Sequence, residues 1–169
     1  MIQFSDSPID GPRLRDAFGC FPSGVTAVCA VVDGEPVGMA ASSFTSVSLD
    51  PPLVSVCMKV SSRTWRQMRS LRRLGISVLS SSQDHECRQL AQAEGDRFEG
   101  AAWDAHADGA VFMAGASTYL NCAVHTVVPA GDHAIVLFRV HDLWCDAQMD
   151  PLVFHRSRFR TLSTVANIA

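Results

Sequence analysis

The stretch GMAASSFTSVSLDPPLVSVC, residues 38–57, decides how this chain is read. It reads as strand, turn, strand, and Asp50-Pro51-Pro52 breaks the chain before its last part. Six small hydroxyl side chains lie within it: Ser42, Ser43, Thr45, Ser46, Ser48 and Ser55. Buried hydroxyls need partners, so a serine-rich strand packs less well than a valine-rich one. Either this face is solvated, or it holds something that accepts many hydrogen bonds. The residues alone leave both open.

Upstream, VTAVCAVV (25–32) is a β-branched run that enters EPVGMAAS through Asp33-Gly34, which predicts a hairpin. Downstream, LVSVCMKV predicts another strand. It leads through two serines into RTWRQMRSLRRL, where Trp65, Met68 and Leu71 form an apolar stripe at helical spacing. GISVLSS predicts a short strand, and DHECRQLAQAEG a helix stopped by Gly95. After the loop GDRFEGAAWDAHADGA come the predicted strands VFMAGAS, TYLNCAVHTVV and AIVLFRVHDLWC, the last two joined by PAGDH. The segment PLVFHRSRFRTL predicts one more strand. Near the start, Asp10 caps a short helix with Pro12 in its first turn, Leu14, Phe18 and Phe21 on one face, and Gly19 near its end. About seven strands and two or three helices, linked mostly by hairpins, predict a mainly β chain: an antiparallel barrel with helices outside it.

The 169 residues suffice for one domain with its own core. Apolar residues make up 47% and charged residues only 18%, so some apolar surface is expected to meet another subunit. No apolar run approaches the roughly 18 to 20 residues of a membrane span. The opening MIQFSDSPID lacks the basic and apolar regions of a signal peptide, so a cytoplasmic protein is expected. A net charge of -3 argues against a nucleic-acid surface. Thirteen arginines stand against Lys59 alone, which we attribute to genome composition. Cys20, Cys29, Cys57, Cys87, Cys122 and Cys145 form no CxxC pair and are expected to be buried small hydrophobes. The histidines are equally dispersed, so no metal site is expected.

Three places offer ligand chemistry. Ser61-Ser62-Arg63-Thr64 opens a predicted helix, with free N–H groups, hydroxyls and a forked cation: a phosphate cradle or an ordinary N-cap. Met39 to Ser48 offers small side chains beside which a flat ligand can approach the backbone, or it is the wet face of a hairpin. His133, in the turn Gly131-Asp132-His133, can reach over a barrel rim or simply belong to the turn. His125 reads as structural, and Arg66, Arg69, Arg72 and Arg73 as a solvated helix face. Asp84, Glu86, Glu94 and Asp96 show no acid–base pairing. Neither GxGxxG nor GxSxG occurs.

Taken together, FGCFPSGVTAV, VGMAASSFTSVSLDPPLVSV, SSRTW, GDRF, GDHAIVLFRV and PLVFHRSRFR resemble, in order and spacing, the flavin reductase-like family over about residues 11–162. These are the small reductase components of two-component flavin-dependent monooxygenases. The resemblance implies an FMN-binding split β-barrel and one domain over residues 1–169. It implies an NAD(P)H:flavin oxidoreductase in which hydride passes from nicotinamide C4 to flavin N5. The cofactors would be FMN or FAD, with NADH favoured over NADPH, and the partners an oxygenase component and a second copy of the chain. Met39, Ala40, Ala41, Ser42, Ser43, Ser46 and Ser48 would run along the flavin ring. Ser61, Ser62, Arg63 and Thr64 would hold the phosphate. Arg97, Phe98 and Phe159 would border the pocket, and His133 would position the nicotinamide. No acid or base is strictly required, because the cofactors carry the chemistry.

Four departures stand out. Met39-Ala40-Ala41-Ser42-Ser43 replaces a frequent Met-Thr-Ala-Asn-Ser, which loses or shortens two hydrogen-bonding side chains and so bears on flavin affinity and on FMN/FAD preference. Phe138 replaces a usual glycine, Phe159 a common tyrosine and Cys20 a frequent arginine. Two other readings stay open: a split-barrel flavoprotein that keeps its flavin and acts on another substrate, and a flavin-binding module without turnover.

Overall fold

The computed structural model describes residues 8–163. Helix α1 (Gly11–Phe18) leads into β1 (Ser23–Gly24), β2 (Thr26–Val32) and β3 (Glu35–Ala41). Next come β4 (Thr45–Leu49), β5 (Pro52–Lys59), α2 (Arg63–Met68), β6 (Leu74–Val78) and α3 (Asp84–Leu90). The chain continues through β7 (Trp103–Ala105), β8 (Val111–Met113), β9 (Thr118–Ala130), β10 (His133–Cys145), β11 (Val153–His155) and β12 (Arg158–Arg160).

Seven strands form the main sheet in the order β3-β2-β6-β9-β10-β5-β4, with every pairing antiparallel. Its two edges, β3 and β4, are consecutive in the chain and are joined only by residues 42–44. A flat sheet of this size would hold its edges about 29 Å apart, at about 4.8 Å per strand. The connection spans about 14 Å at most. The sheet must therefore curl round on itself, open between β3 and β4. That is the expected split barrel, and Ser42–Phe44 cross the split.

Strand β2 explains why residues 25–32 lack alternation. Val28 and Ala30 belong to the inner cluster with Val56, Met58, Ile76, Val136 and Phe138, whereas Val25, Ala27 and Cys29 face an outer cluster with Leu79, Leu90, Phe98 and Met113. A strand buried on both faces reads as a continuous apolar run. Its hairpin to β3 turns through Asp33 (φ 51) and Gly34 (φ 89), the two left-handed residues that a tight hairpin turn needs. Short α2 plugs the barrel: Trp65 and Met68 are buried, and Trp65 meets Phe138 edge-on at 6.2 Å. Helix α3 covers the outer cluster with Cys87 and Leu90.

Several expectations are corrected. The loop 95–110 contains β7, which pairs with a β8 cut short before Gly115, whose φ is +86. The segment expected as one last strand is the hairpin β11–β12, turned by Arg156 and Ser157 in the left-handed region. Helix α2 ends at Met68, so Leu71, Arg72 and Arg73 lie beyond it. Helix α3 ends at Leu90, well short of Gly95. Helix α1 has its Asp10 cap, the carboxylate accepting the Arg13 N–H, but it buries none of its residues and ends before Phe21. Arg66, Arg69 and Arg72 are exposed as expected, while Arg73 is half-buried against Asp108 at 3.7 Å. His125 is exposed at a bulge, between the pairs Leu137↔Thr126 and Phe138↔Val124.

The cysteines divide evenly. Cys29, Cys87 and Cys122 are buried, but Cys20, Cys57 and Cys145 are exposed, against expectation. Burial pushes Cys29 and Cys122 up to about 12 and Cys87 to about 11, which suppresses their thiolates. A native thiol titration near pH 8 is expected to report three fast groups, and six after denaturation. Six fast groups in the native protein would contradict the packing of β2, α3 and β9.

Candidate flavin site

The site is built around the outer edge of β3. Arg97 donates from Nη1 to the Gly38 carbonyl at 3.0 Å and to Thr64 Oγ1 at 2.8 Å. The Gly38 backbone groups therefore face away from β2. By the two-residue period of a strand, Ala40 presents its N–H and C=O along the same free edge. Val37, Met39 and Ala41 alternate onto the inner core, while Ala40 packs against the outer cluster. Met39, between Gly38 and Ala40, turns its backbone groups toward Val28 of β2 and its side chain into the core, so it supports the edge rather than facing a ligand there.

Two clefts lie along this edge. The first is lined by Ala40, Ala41 and Ser42, by Cys87, Arg88 and Ala91 of α3, and by Phe154 and Phe159 of the last hairpin, and encloses about 350 Å³. The second, about 290 Å³, is lined by Pro36 to Gly38, Arg63, Thr64, Gln67, Arg97 and Phe98. Strand β3 forms one wall of both, and the end of α3 with its following loop forms the other. Phe159 is tilted against Phe154 at 5.4 Å and lies under the Arg88 guanidinium at 4.7 Å, so the aromatic wall is fixed from both sides.

Each candidate residue has a place in this frame. Ala40, Ala41, Ser42 and Phe159 meet in the first cleft, and Arg63, Thr64, Arg97 and Phe98 in the second. Ser62 caps α2, its hydroxyl oxygen accepting the Trp65 N–H at 3.1 Å, and exposed Ser61 precedes it. Among the described residues the Arg63 guanidinium has no partner. It is the cation left to meet a phosphate there.

Ser43 and Phe98 hold the frame together. Ser43 accepts the Cys57 N–H at 2.9 Å and donates to the Cys57 carbonyl at 3.4 Å, pinning the split to β5. Phe98 is only 8% exposed and, together with Cys29, fills the space left by the absent side chain of Gly38. Ser46 and Ser48 lie on β4, on either side of a bulge; Ser46 lines a surface hollow with Ser42 and Phe21. His133 opens β10 opposite Lys59, four residues before Arg63, and its Nδ1 lies 2.8 Å from Asp132 Oδ1. The Asp132 carboxyl is held below the usual range by that hydrogen bond and by the charge of His133. The turn thus brings His133 to the end of the barrel that carries the Ser61–Thr64 segment.

Sequence reasoning missed Gly38, Arg88, Ala91 and Phe154. The only local signal was the aromatic pair at 154 and 159, spaced to meet across a two-residue turn.

The sequence and the fold match known proteins. Residues 18–163 match the flavin reductase like domain family. The chain belongs to that family. It is 36% identical over 154 residues to a flavin reductase of Pseudomonas putida, covering 90% of this chain and 91% of that one. It is 36% identical over 165 residues to the NADH-dependent FAD reductase of Streptomyces globisporus, covering 95% and 90%. The structure of the Streptomyces globisporus NADH:FAD oxidoreductase with NAD and FAD fragments superposes with a TM-score of 0.86, covering 95% of this chain and all of that one. Longer relatives also exist: the chain spans 42% of a probable flavin reductase of Rhizobium meliloti, at 42% identity.

The residues present fit a flavin. An unpaired arginine stands beside a helix start, small side chains flank a free strand edge, and aromatic rings form the opposite wall.

Proposed function

We propose that the chain is an NAD(P)H:flavin oxidoreductase that binds free FMN or FAD, reduces it with NADH and releases it to an oxygenase component. The reading takes residues 1–169 as one reductase domain working in the cytoplasm, where NADH is supplied. The observation that carries it is the pair of clefts that share β3 as a wall, one lined by Ala40–Ser42 and Phe159 and the other by Arg63 and Thr64. Bound together, nicotinamide and isoalloxazine supply the hydride chemistry. The chain's residues bind and orient them. Arg63 meets the phosphate, and Arg97 holds Thr64 and the β3 edge in register. The backbone of Ala40 meets the ring edge where charge grows on reduction. Phe154 and Phe159 exclude water from one side. Alanines at 40 and 41 leave the ring few side-chain hydrogen bonds, which suits a flavin that must leave. Gel filtration of the protein mixed with FAD is expected to separate the two. A stoichiometric, co-eluting flavin would instead support a flavoprotein that keeps its cofactor.

His133 belongs to this reading as the nicotinamide-positioning residue. His133→Ala is expected to raise the KM for NADH about tenfold, or ~1.4 kcal/mol, with the flavin Kd unchanged. Steady-state kinetics at saturating flavin, run beside a melting curve, check it. Unchanged NADH kinetics with a lowered Tm would make His133 a turn residue only.

Homodimerisation belongs to it as well. Helix α1 buries nothing within its own chain, and Phe18, Phe21 and Leu49 are 69%, 79% and 96% exposed. Such rings and aliphatic side chains favour an apolar subunit interface. Light scattering at micromolar concentration is expected to give twice the 18.3 kDa chain mass. An active monomer would contradict it.

A further inference from the structure

Charge is sorted by position along this chain. Residues 51–83 hold Lys59, Arg63, Arg66, Arg69, Arg72 and Arg73 and neither an aspartate nor a glutamate, although acids outnumber bases over the whole chain by 17 to 14. The segment runs through β5, α2 and the start of β6, so these cations gather at the end of the barrel that α2 plugs. Among its five arginines, Arg73 is paired, with Asp108 at 3.7 Å. Arg66, Arg69 and Arg72 are exposed, and among the described residues their side chains have no hydrogen-bond or ion-pair partner.

Two ordinary causes account for only part of this pattern. Cations near a helix C-terminus are favourable against the backbone dipole, which suits Arg66 and the C-cap Arg69. It does not suit Arg63, at the opposite end, and Arg72 lies beyond the helix. A solvated helix face usually mixes its charges, because unlike neighbours three or four positions apart attract and like ones repel. Here Arg63, Arg66 and Arg69 recur at every third residue with no carboxylate among them. An anion from outside the chain would relieve that repulsion.

The layout selects the anion. Arg63 and Gln67 line the second cleft, while Trp65 and Met68 are buried on the other side of α2. At about 100° per residue, Arg66 stands about 60° from Arg63 around the helix and Arg69 about 60° further. The cations therefore continue outward from the mouth of the cleft. Along the axis Arg69 is about 9 Å from Arg63, close to one Debye length at physiological salt, so the fields overlap. The facing wall carries Glu94 and Asp96 on either side of Gly95, and Asp132, beside Lys59, is held by His133. The positive side of the mouth is thus the α2 side. We propose that Arg66, Arg69 and Arg72 form a cationic apron that captures phosphate-bearing flavins from solution and guides them to Arg63. This rests on the reading of the second cleft as the flavin-phosphate site. Guidance of this kind raises association rates by roughly tenfold or more and fades steeply with salt. It serves a reductase whose flavin arrives by diffusion.

The test is stopped-flow fluorescence with FMN, whose phosphate carries about two negative charges, and with uncharged riboflavin, each at low and high salt. The proteins are the wild type, Arg63→Ala and the triple variant Arg66→Gln/Arg69→Gln/Arg72→Gln. The triple variant is expected to bind FMN about tenfold more slowly at low salt and to lose most of the salt dependence. Its koff, its riboflavin association rate and its kcat at saturating flavin are expected to match the wild type. Should the triple variant lose its fold, Arg72→Gln, outside α2, carries the test with an expected loss of about twofold. While Arg63→Ala still weakens FMN binding, a wild-type FMN association rate in these variants, an equal loss for riboflavin, or a change confined to koff would each overturn the proposal alone. Unchanged FMN affinity in Arg63→Ala would overturn the reading beneath it as well.

Discussion

Arg63→Ala is expected to weaken FMN and FAD binding by about 1.5 to 3 kcal/mol, the range of a hydrogen bond to a charged group. Riboflavin, which has no phosphate, is expected to bind the variant and the wild type alike. The geometry makes the contrast sharp. Arg63 is exposed at the start of α2, beside the Ser62 cap, and among the described residues its side chain has no hydrogen-bond or ion-pair partner. Its removal should therefore leave Tm unchanged. Fluorescence titrations with the three flavins check this, and equal losses for riboflavin and FMN would remove the phosphate from the Ser61–Thr64 segment.

Arg97→Ala is expected to act differently. Its guanidinium joins the Gly38 carbonyl on β3 to Thr64 Oγ1 on α2, and the side chain is half-buried. Removing it leaves the Gly38 acceptor and the Thr64 hydroxyl unmatched, so stability should fall by about 2 to 3 kcal/mol. Flavin affinity should fall with it, because the β3 edge and the phosphate turn lose their common anchor. Arg97→Lys should recover little of either loss, since a point charge cannot reproduce the planar fork. A melting curve run beside a flavin titration separates the two arginines: Arg63→Ala moves only binding, while Arg97→Ala moves both. An Arg97→Ala protein of wild-type Tm and lowered flavin affinity would make Arg97 a direct ligand instead.

The strands of the barrel were legible because their signals are local. Asp33-Gly34 specified a hairpin, and the β-branched run 25–32 specified a strand, which the structure buries on both sides. The connection between β9 and β10 was legible in PAGDH. What escaped was set by tertiary contact. Strand β7 has three residues and no periodicity, and it exists because β8 lies beside it. The turn at Arg156-Ser157 uses left-handed residues other than glycine or asparagine, so nothing in PLVFHRSRFRTL marked a reversal. Both α2 and α3 end early, although apolar side chains continue beyond them at helical spacing.

The site was legible in the same partial way. The small residues at 40–42 and the cation at Arg63 could be picked out by chemistry, and the structure places them along one strand edge. The serines of the opening stretch divide into roles that no composition distinguishes. Ser43 ties the split to β5, Ser42 faces the cleft, and Ser46 and Ser48 straddle a bulge on the edge strand. The roles of Gly38 and Phe98 depend on each other across a long sequence separation. A glycine without a side chain and a phenylalanine that fills its space give no signal separately.

The most direct test is the rate of NADH oxidation by flavin-free protein as free FAD or FMN is added. A flavin-dependent reductase predicts no oxidation without flavin and a rate that rises and saturates with flavin concentration. A rate independent of added flavin, or no oxidation at any flavin concentration, would contradict it.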